Sequence, residues 1–222
     1  MPLIIAIDGP SGAGKTTLGR LLAREFGLLY IDTGSMYRAV ALAVMESSVN
    51  AADDVAVGSL ARRIDIDLKG DPDALRVLLE GRDVTDAIRT EDVTHMSSII
   101  STIPEVRRAM VERQRELGSR GAVLNGRDIG TVVFPNADVK FYLTAAPKTR
   151  AERRFNETRE QHRNVTFAET FAEMEDRDKR DMTREDSPLV IADDAIIIDS
   201  TGLTIEEVCA KMVEIIRLRT AR

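Results

Sequence analysis

A single cysteine, Cys209, stands in the 222-residue chain, and one thiol excludes an intrachain disulfide. The longest apolar runs are far short of a membrane span, and Met1-Pro2 followed by a strand-like run does not resemble a signal peptide. An excess of positive charge is also missing. Lys and Arg number 31 against 37 Asp and Glu, for a net charge of −6 and a pI near 5.2, so there is no global footprint for nucleic acid or an anionic membrane. Lysine is scarce, with six against 25 arginines. Guanidinium binds phosphate bidentately, which suits a local anion site, although a biased genome composition explains the excess equally well. Histidine is limited to His95 and His162, both expected at exposed helix positions and neither as a base or ligand. Internal repeats and low-complexity tracts are absent. The expectation is a monomer in a reducing, cytoplasmic space, with one sizeable core and inserted lobes. Any anion site in so acidic a chain must be built from a few placed groups.

What is present alternates between strand and helix. Residues 3–7 read as a fully buried strand, and Lys15 to Phe26 as a helix with Leu18, Leu21, Leu22 and Phe26 on one face and Gly27 as its stop. LLYI (28–31) is a second strand, running into Asp32-Thr-Gly-Ser-Met-Tyr-Arg38 and a helix to about Met45. Further apolar strands are expected at AVLN (122–125), VKFYL (139–143) and AIII (195–198), separated by helical stretches. This pattern predicts an α/β fold with a central parallel sheet and helices on both faces. The last helix opens on Thr204-Ile-Glu-Glu207, a capping box, and its spacing puts Cys209 in the core. Two regions interrupt the alternation. Residues 64–84 read as an inserted β-hairpin around KGDPD. Residues 147 to about 188 are charged and mostly helical, with arginines at 150, 153, 154, 159, 163, 177, 180 and 184. Both are candidate mobile lobes around a cleft.

The sharpest signal is Gly9-Pro10-Ser11-Gly12-Ala13-Gly14-Lys15-Thr16, followed by Thr17. It fits G-x-x-x-x-G-K-[ST] without a gap, between an apolar strand and an amphipathic helix. The glycines let backbone N–H groups turn inward, and the helix N-terminus adds positive potential. Lys15 can reach the outer phosphates, and Thr16 can ligate Mg²⁺. ATP or GTP binding follows. The chain has no Asn-Lys-x-Asp guanine reader, which argues against a regulatory GTPase. The AVLN strand ends in Asn125 and then Gly-Arg-Asp, rather than in the acid a motor ATPase needs for Mg²⁺ and water.

Three stretches could bind an anionic acceptor. Asp32 to Arg38 and Gly126-Arg127-Asp128 each follow a strand, where open α/β sheets bind ligands. Arg177, Asp181 and Arg184 are four and three apart, so they can share one helix face; a solvated face laced with ion pairs is the alternative. Gly81-Arg82-Asp83 duplicates Gly126-Arg127-Asp128 within the insertion and is expected to be a hairpin turn.

GPSGAGKTT, DTGSMYR, Pro104-Glu-Val-Arg107 with Arg113-Gln-Arg115, NGRDIGTVVFP and R-x-x-R-D near 180, in this order along nearly the whole chain, resemble bacterial cytidylate kinases of the P-loop nucleoside monophosphate kinase group. The resemblance implies a P-loop kinase fold with a core of about 1–57, 108–146 and 186–222. It further implies an enlarged monophosphate-binding insertion (58–107) and a helical lid (147–185). It implies ATP as co-substrate, Mg²⁺, and CMP or dCMP as acceptor. Residue by residue, it implies that Arg38 and Arg127 hold the monophosphate near Thr33, and that Ser98, Arg107 and Asp128 read cytosine. Arg177 and Asp181 would engage sugar or phosphate. Arg184, with lid arginines such as Arg153 and Arg154, would close over the transferring group. Lys15, Arg127, Asp128 and Arg184 are the implied catalytic set. Many members carry an acid where this chain has Asn125, an amide that orders a metal-bound water only weakly, with Asp128 or Asp8 as alternatives. A P-loop kinase for UMP, AMP or another metabolite, and a catalytically idle nucleotide sensor, are the rival readings.

Overall fold

Alternating apolar runs and amphipathic helices demand crossover connections, and the chain makes four parallel pairings in this way. The computed structural model describes residues 2–160 and 165–221. In order, these form β1 (Ile4–Asp8), α1 (Lys15–Phe26), β2 (Leu29–Asp32), α2 (Thr33–Glu46) and α3 (Asp54–Arg63). The inserted strands β3 (Ile66–Lys69), β4 (Arg76–Leu79) and β5 (Arg82–Asp83) follow, then α4 (Glu91–Ile100), α5 (Pro104–Gly118), β6 (Ala122–Gly126) and β7 (Val139–Thr144). The chain closes with α6 (Pro147–Glu160), α7 (Phe167–Thr183), β8 (Ile196–Asp199) and α8 (Ile205–Thr220).

The main sheet has the order β2-β6-β1-β7-β8 and is parallel throughout. Central β1 is buried on both faces, which is why IIAI is apolar without alternation. Ile5 and Ile7 pack with Leu18 and Leu22 of α1 and with Val208, Met212 and Ile216 of α8. Ile4 and Ala6 face the opposite core, with Met36 and Val40 of α2 and Val106 and Met110 of α5. Fully burying one such side chain stabilises the fold by about 1.5–3 kcal/mol. Truncating Leu18 to Ala would cost about 2–5 kcal/mol and would loosen the helix that starts the glycine-rich loop.

Helix α1 stops where expected. Gly27 adopts φ 62 and its N–H returns to Ala23 and Arg24. Capping boxes start α7 (Thr166 with Glu169) and α8 (Thr204 with Glu207). Residues 33–38 form the first turns of α2 rather than a loop ahead of it. The insertion is a three-stranded antiparallel sheet, one short strand beyond the expected hairpin. Glu80 and Gly81 carry the positive φ of its turn, and Arg82 and Asp83 begin the third strand. Arg184 caps α7 instead of continuing it. Cys209 is half-buried against the α1–α8 core, and His95 is exposed. His162 and Arg163 lie outside the described residues.

Candidate active site

The strand order reverses around β1 and β6, and the C-terminal ends of these two strands open into one cavity of about 450 Å³. That is where an open α/β sheet binds ligands. The glycine-rich loop leaves β1 along a tight path. A Cβ on Gly9 would lie 2.0 Å from the Leu143 carbonyl oxygen, and one on Gly12, at φ +71, would lie 2.6 Å from that of Arg150. Residues Ser11 to Thr17 line the cavity, while Gly9 and Pro10 sit behind it and accept from Lys15 Nζ at 2.7 and 2.6 Å. Lys15 is only 7% exposed. Burial, and then the nearby Arg127 and Arg177, hold its ammonium well below the ordinary lysine value.

Opposite the loop, β6 delivers Arg127 and Asp128. Arg127 Nε donates to Asp181 Oδ2 at 2.7 Å. Burial opposes the Arg127 charge, but Asp181 outweighs it and raises the guanidinium above its usual value. Asp181 also meets Arg184 at 3.3 Å. Burial pushes the Asp181 carboxyl up, and Arg127, Arg177 and Arg184 more than reverse this. Arg107, 1% exposed, donates to Asp128 Oδ2 at 2.5 Å and to the Ser101 carbonyl at 3.0 Å, with its guanidinium carbon 5.6 Å from the Tyr37 ring centre. On α2, Arg38 donates to Ser35 Oγ at 2.7 Å and to Asp32 at 3.3 Å, and Thr33 Oγ1 donates to the Asn125 carbonyl at 2.8 Å.

Nine basic side chains and four acidic ones line this cavity in a chain of net charge −6. The Nε atoms of Arg20, Arg38 and Arg177 are buried there without a hydrogen-bond partner, each such group costing about 1–3 kcal/mol. Arg177 titrates at about 10, lowered by burial first and then by Arg127. Unsatisfied donors and mutually repelling cations together define a site for a polyanion.

Most of the residues singled out from sequence converge here: Lys15, Thr16, Thr17, Thr33, Arg38, Arg107, Arg127, Asp128, Arg154, Arg177, Asp181 and Arg184 all line the cavity. Two do not. Arg153 donates to the Ser200 hydroxyl and carbonyl, both at 2.9 Å. Ser98 Oγ accepts from Arg180 at 3.3 Å, while Ser97 and Ser101 take the cavity wall. Arg82 pairs with Glu46 outside the cavity. Ser35 and Tyr37 stood unassigned inside a stretch already singled out. Arg20, which also lines the cavity, was missed although it lies four residues beyond Thr16 on the same helix face.

Asp8 ends β1 and accepts the N–H groups of Ile129 and Gly130 at 2.8 and 2.7 Å, tying the glycine-rich loop to the segment after Asp128. Burial pushes its carboxyl up to about 6 against the pull of those two N–H groups. Among the described residues no group of three or more His, Cys, Asp or Glu could hold a metal ion. The Thr16 side chain at the cavity mouth and the buried, unpartnered Oδ1 of Asn125 are the sparse ligation that magnesium accepts when phosphates and water complete its shell.

The family model for cytidylate kinase matches residues 5–218. A cytidylate kinase of Geobacter sp. (strain M21) is 47% identical over 99% of this chain and 95% of its own length. One from Carboxydothermus hydrogenoformans is 46% identical over 96% of each chain, and one from Solibacter usitatus is 48% identical over 98% of this chain and 93% of its own. Among solved structures, TT1252 from Thermus thermophilus superposes with a TM-score of 0.50 at 17% identity, covering 99% of this chain and 98% of its own. An uncharacterized protein from Eubacterium ventriosum gives 0.55 at 12% identity, covering 97% and 98%. These two are likenesses of fold alone.

Proposed function

The chain belongs to the cytidylate kinase family, and from that premise we propose how its cleft works: it transfers the γ-phosphoryl group of ATP to CMP or dCMP, giving ADP and CDP or dCDP. The carrying observation is the convergence of nine basic side chains before a glycine-rich loop in an acidic chain. Two polyanions must meet in line, and their repulsion is the main obstacle.

The acceptor phosphate has a second pKa near about 6, so at neutral pH it is mostly a dianion and already nucleophilic. No histidine base is required. One acceptor oxygen forms the new P–O bond while the bond to ADP breaks and its electron pair stays on the ADP oxygen. Ser11 to Thr16 cradle the donor phosphates. Lys15, released from the Gly9 and Pro10 carbonyls, follows the charge on the transferring group. Arg38 and Arg127 hold the acceptor phosphate, with Thr33 beside them. Arg177 and Arg184 reach the transition-state charge from the lid side, and Arg154 covers the donor. Arg107 and Asp128 face the base, where a carboxylate accepts from the exocyclic amine of cytosine and a guanidinium donates to O2 and N3. Ser98 would have to leave Arg180 to join them. Thr16, with Asn125 through a water, would hold Mg²⁺, which when bound supplies charge neutralisation between donor phosphates. The insertion at about 58–107 and the lid at about 147–185 close over the core and exclude water that would hydrolyse ATP.

Coupled ADP release measured across CMP, dCMP, UMP, AMP and shikimate tests this reading. CMP and dCMP are expected to be fastest. Preference for UMP, AMP or shikimate would reassign the acceptor, and tight ATP binding with no product from any of the five would leave a nucleotide sensor.

A further inference from the structure

Helix α7 touches both halves of the cleft through neighbouring side chains. On the cradle side, Asp178 Oδ1 accepts the Ser11 N–H at 3.2 Å. Arg150 of α6 completes the contact, donating to the Ser11 carbonyl at 2.9 Å and to Asp178 Oδ2 at 2.5 Å. On the acceptor side, Asp181 takes the Arg127 hydrogen bond and Arg180 reaches Ser98 of α4. Asp178 and Arg150 are 8% and 9% exposed, so theirs is not a surface pair that water dissolves. The Gly12 backbone lies directly against that of Arg150, which fixes the root of α6 on the loop. Asp178 does not line the cavity; both its oxygens are held by the chain's own atoms.

We propose that Asp178 is a positioning residue: by clasping α7 to the phosphate cradle it preorganises the acceptor half of the cleft, so that CMP affinity depends on a side chain at the ATP end. The inference rests on the reading of the cleft given above. An acceptor that binds only when α7 is in place has its apparent affinity reduced by the fraction of molecules in which α7 is displaced. Without the Asp178 carboxylate, Arg150 is a buried cation with no acid to pair with, and Ser11 N–H loses its acceptor. Displacement of α7 then becomes easier. Donor phosphates at Lys15 would draw in Arg177, one residue before Asp178; Arg177 lines the same cavity as Lys15, and its Nε is buried without a hydrogen-bond partner. ATP therefore replaces the missing clasp.

The test is calorimetric titration of CMP into the wild-type chain, Asp178→Ala and Asp178→Asn, each with and without a saturating non-hydrolysable ATP analogue, after circular dichroism has established folding. In Asp178→Ala, CMP binding without the analogue is expected to weaken roughly tenfold, the factor that one hydrogen bond to a charged group carries. Most of the loss should be regained with the analogue. Asp178→Asn keeps an acceptor for Ser11 but not the ion pair, so it should fall between; it carries the comparison if the alanine variant does not fold. CMP affinity unchanged in the variants, or weakened equally with and without the analogue, overturns the clasp. If the wild-type chain makes no CDP, the reading of the cleft fails instead; if it makes CDP while the variants bind CMP normally, only the clasp fails.

Discussion

Replacing Arg107 by Met removes the most deeply buried charge in the cleft while keeping most of its volume. The guanidinium is 1% exposed and its partner Asp128 is 5% exposed. Burial opposes the Arg107 charge, but Tyr37, Asp128 and Asp186 together hold its proton more tightly than usual. Breaking a buried pair by removing one partner costs about 3–5 kcal/mol, because the other charge is left uncompensated. Here Arg184 stands 3.9 Å from Asp128 and supplies part of the compensation, so the lower figure of about 3 kcal/mol is expected. In a chain of this size each kcal/mol moves Tm by about 2–4 °C, so the melt should fall by roughly 6–12 °C. Asp128→Asn added to Arg107→Met removes the stranded carboxylate. The double variant should therefore be more stable than the two single losses added together, by about 1–3 kcal/mol. Urea unfolding of all four proteins gives the cycle, and CDP formation reports the acceptor site, which both single variants should damage. Strict additivity would refute the argument, since it would mean that neither charge answers to the other.

Arg127→Ala should lower kcat by about 10³- to 10⁵-fold, whereas Arg82→Ala, at a side chain that pairs with Glu46 outside the cavity, should leave turnover nearly intact; equal losses would show that the two Gly-Arg-Asp copies are misassigned. The Asp8 carboxyl titrates near 6 in the folded chain against an ordinary 3.8, chiefly through burial, so the native state binds that proton more tightly than the unfolded one. Its contribution therefore favours folding at low pH and is lost as pH rises from about 4 to about 6. The stability of the wild type relative to Asp8→Asn should shrink across that window by about 3 kcal/mol, and a difference in urea unfolding that stays flat from pH 4 to 7 contradicts it. Asn125→Asp places a carboxylate where the amide oxygen has no partner, and should lower the magnesium concentration for half-maximal turnover roughly tenfold, the effect of one added charge-assisted hydrogen bond; an unchanged magnesium titration argues that residue 125 does not face the metal's water shell.

What could be read from sequence and what could not divides by the distance over which each constraint acts. The glycine-rich loop, the Gly27 stop and the Thr204–Glu207 box depend on neighbours within a few residues, so their positions follow from local chemistry. The stretches carrying Arg38 and Arg127 stood out as acceptor candidates because each follows a strand, and strand ends are where such sheets bind ligands; the spacing of Arg184 equally allowed a solvated face, and only the family resemblance put it over the transferring group. The partners of these residues were not legible. Whether Ser97 or Ser98 enters the cavity depends on the rotation of a ten-residue helix, and the deciding contact, Arg180 to Ser98, spans 82 positions. Arg153 and Arg154 adjoin on one helix, so they point about 100° apart; one meets Ser200 and the other the cavity, a choice made by β8 packing beside β7. The Ser11 contact with Asp178 spans 167 residues, and spacing gave no sign of it. A run of acids and bases on α7 reads locally as a solvated face. It becomes part of the site only because the parallel crossovers return the chain to the end of β1, where two neighbouring side chains of that helix, three residues apart on one face, meet the cradle and Arg127.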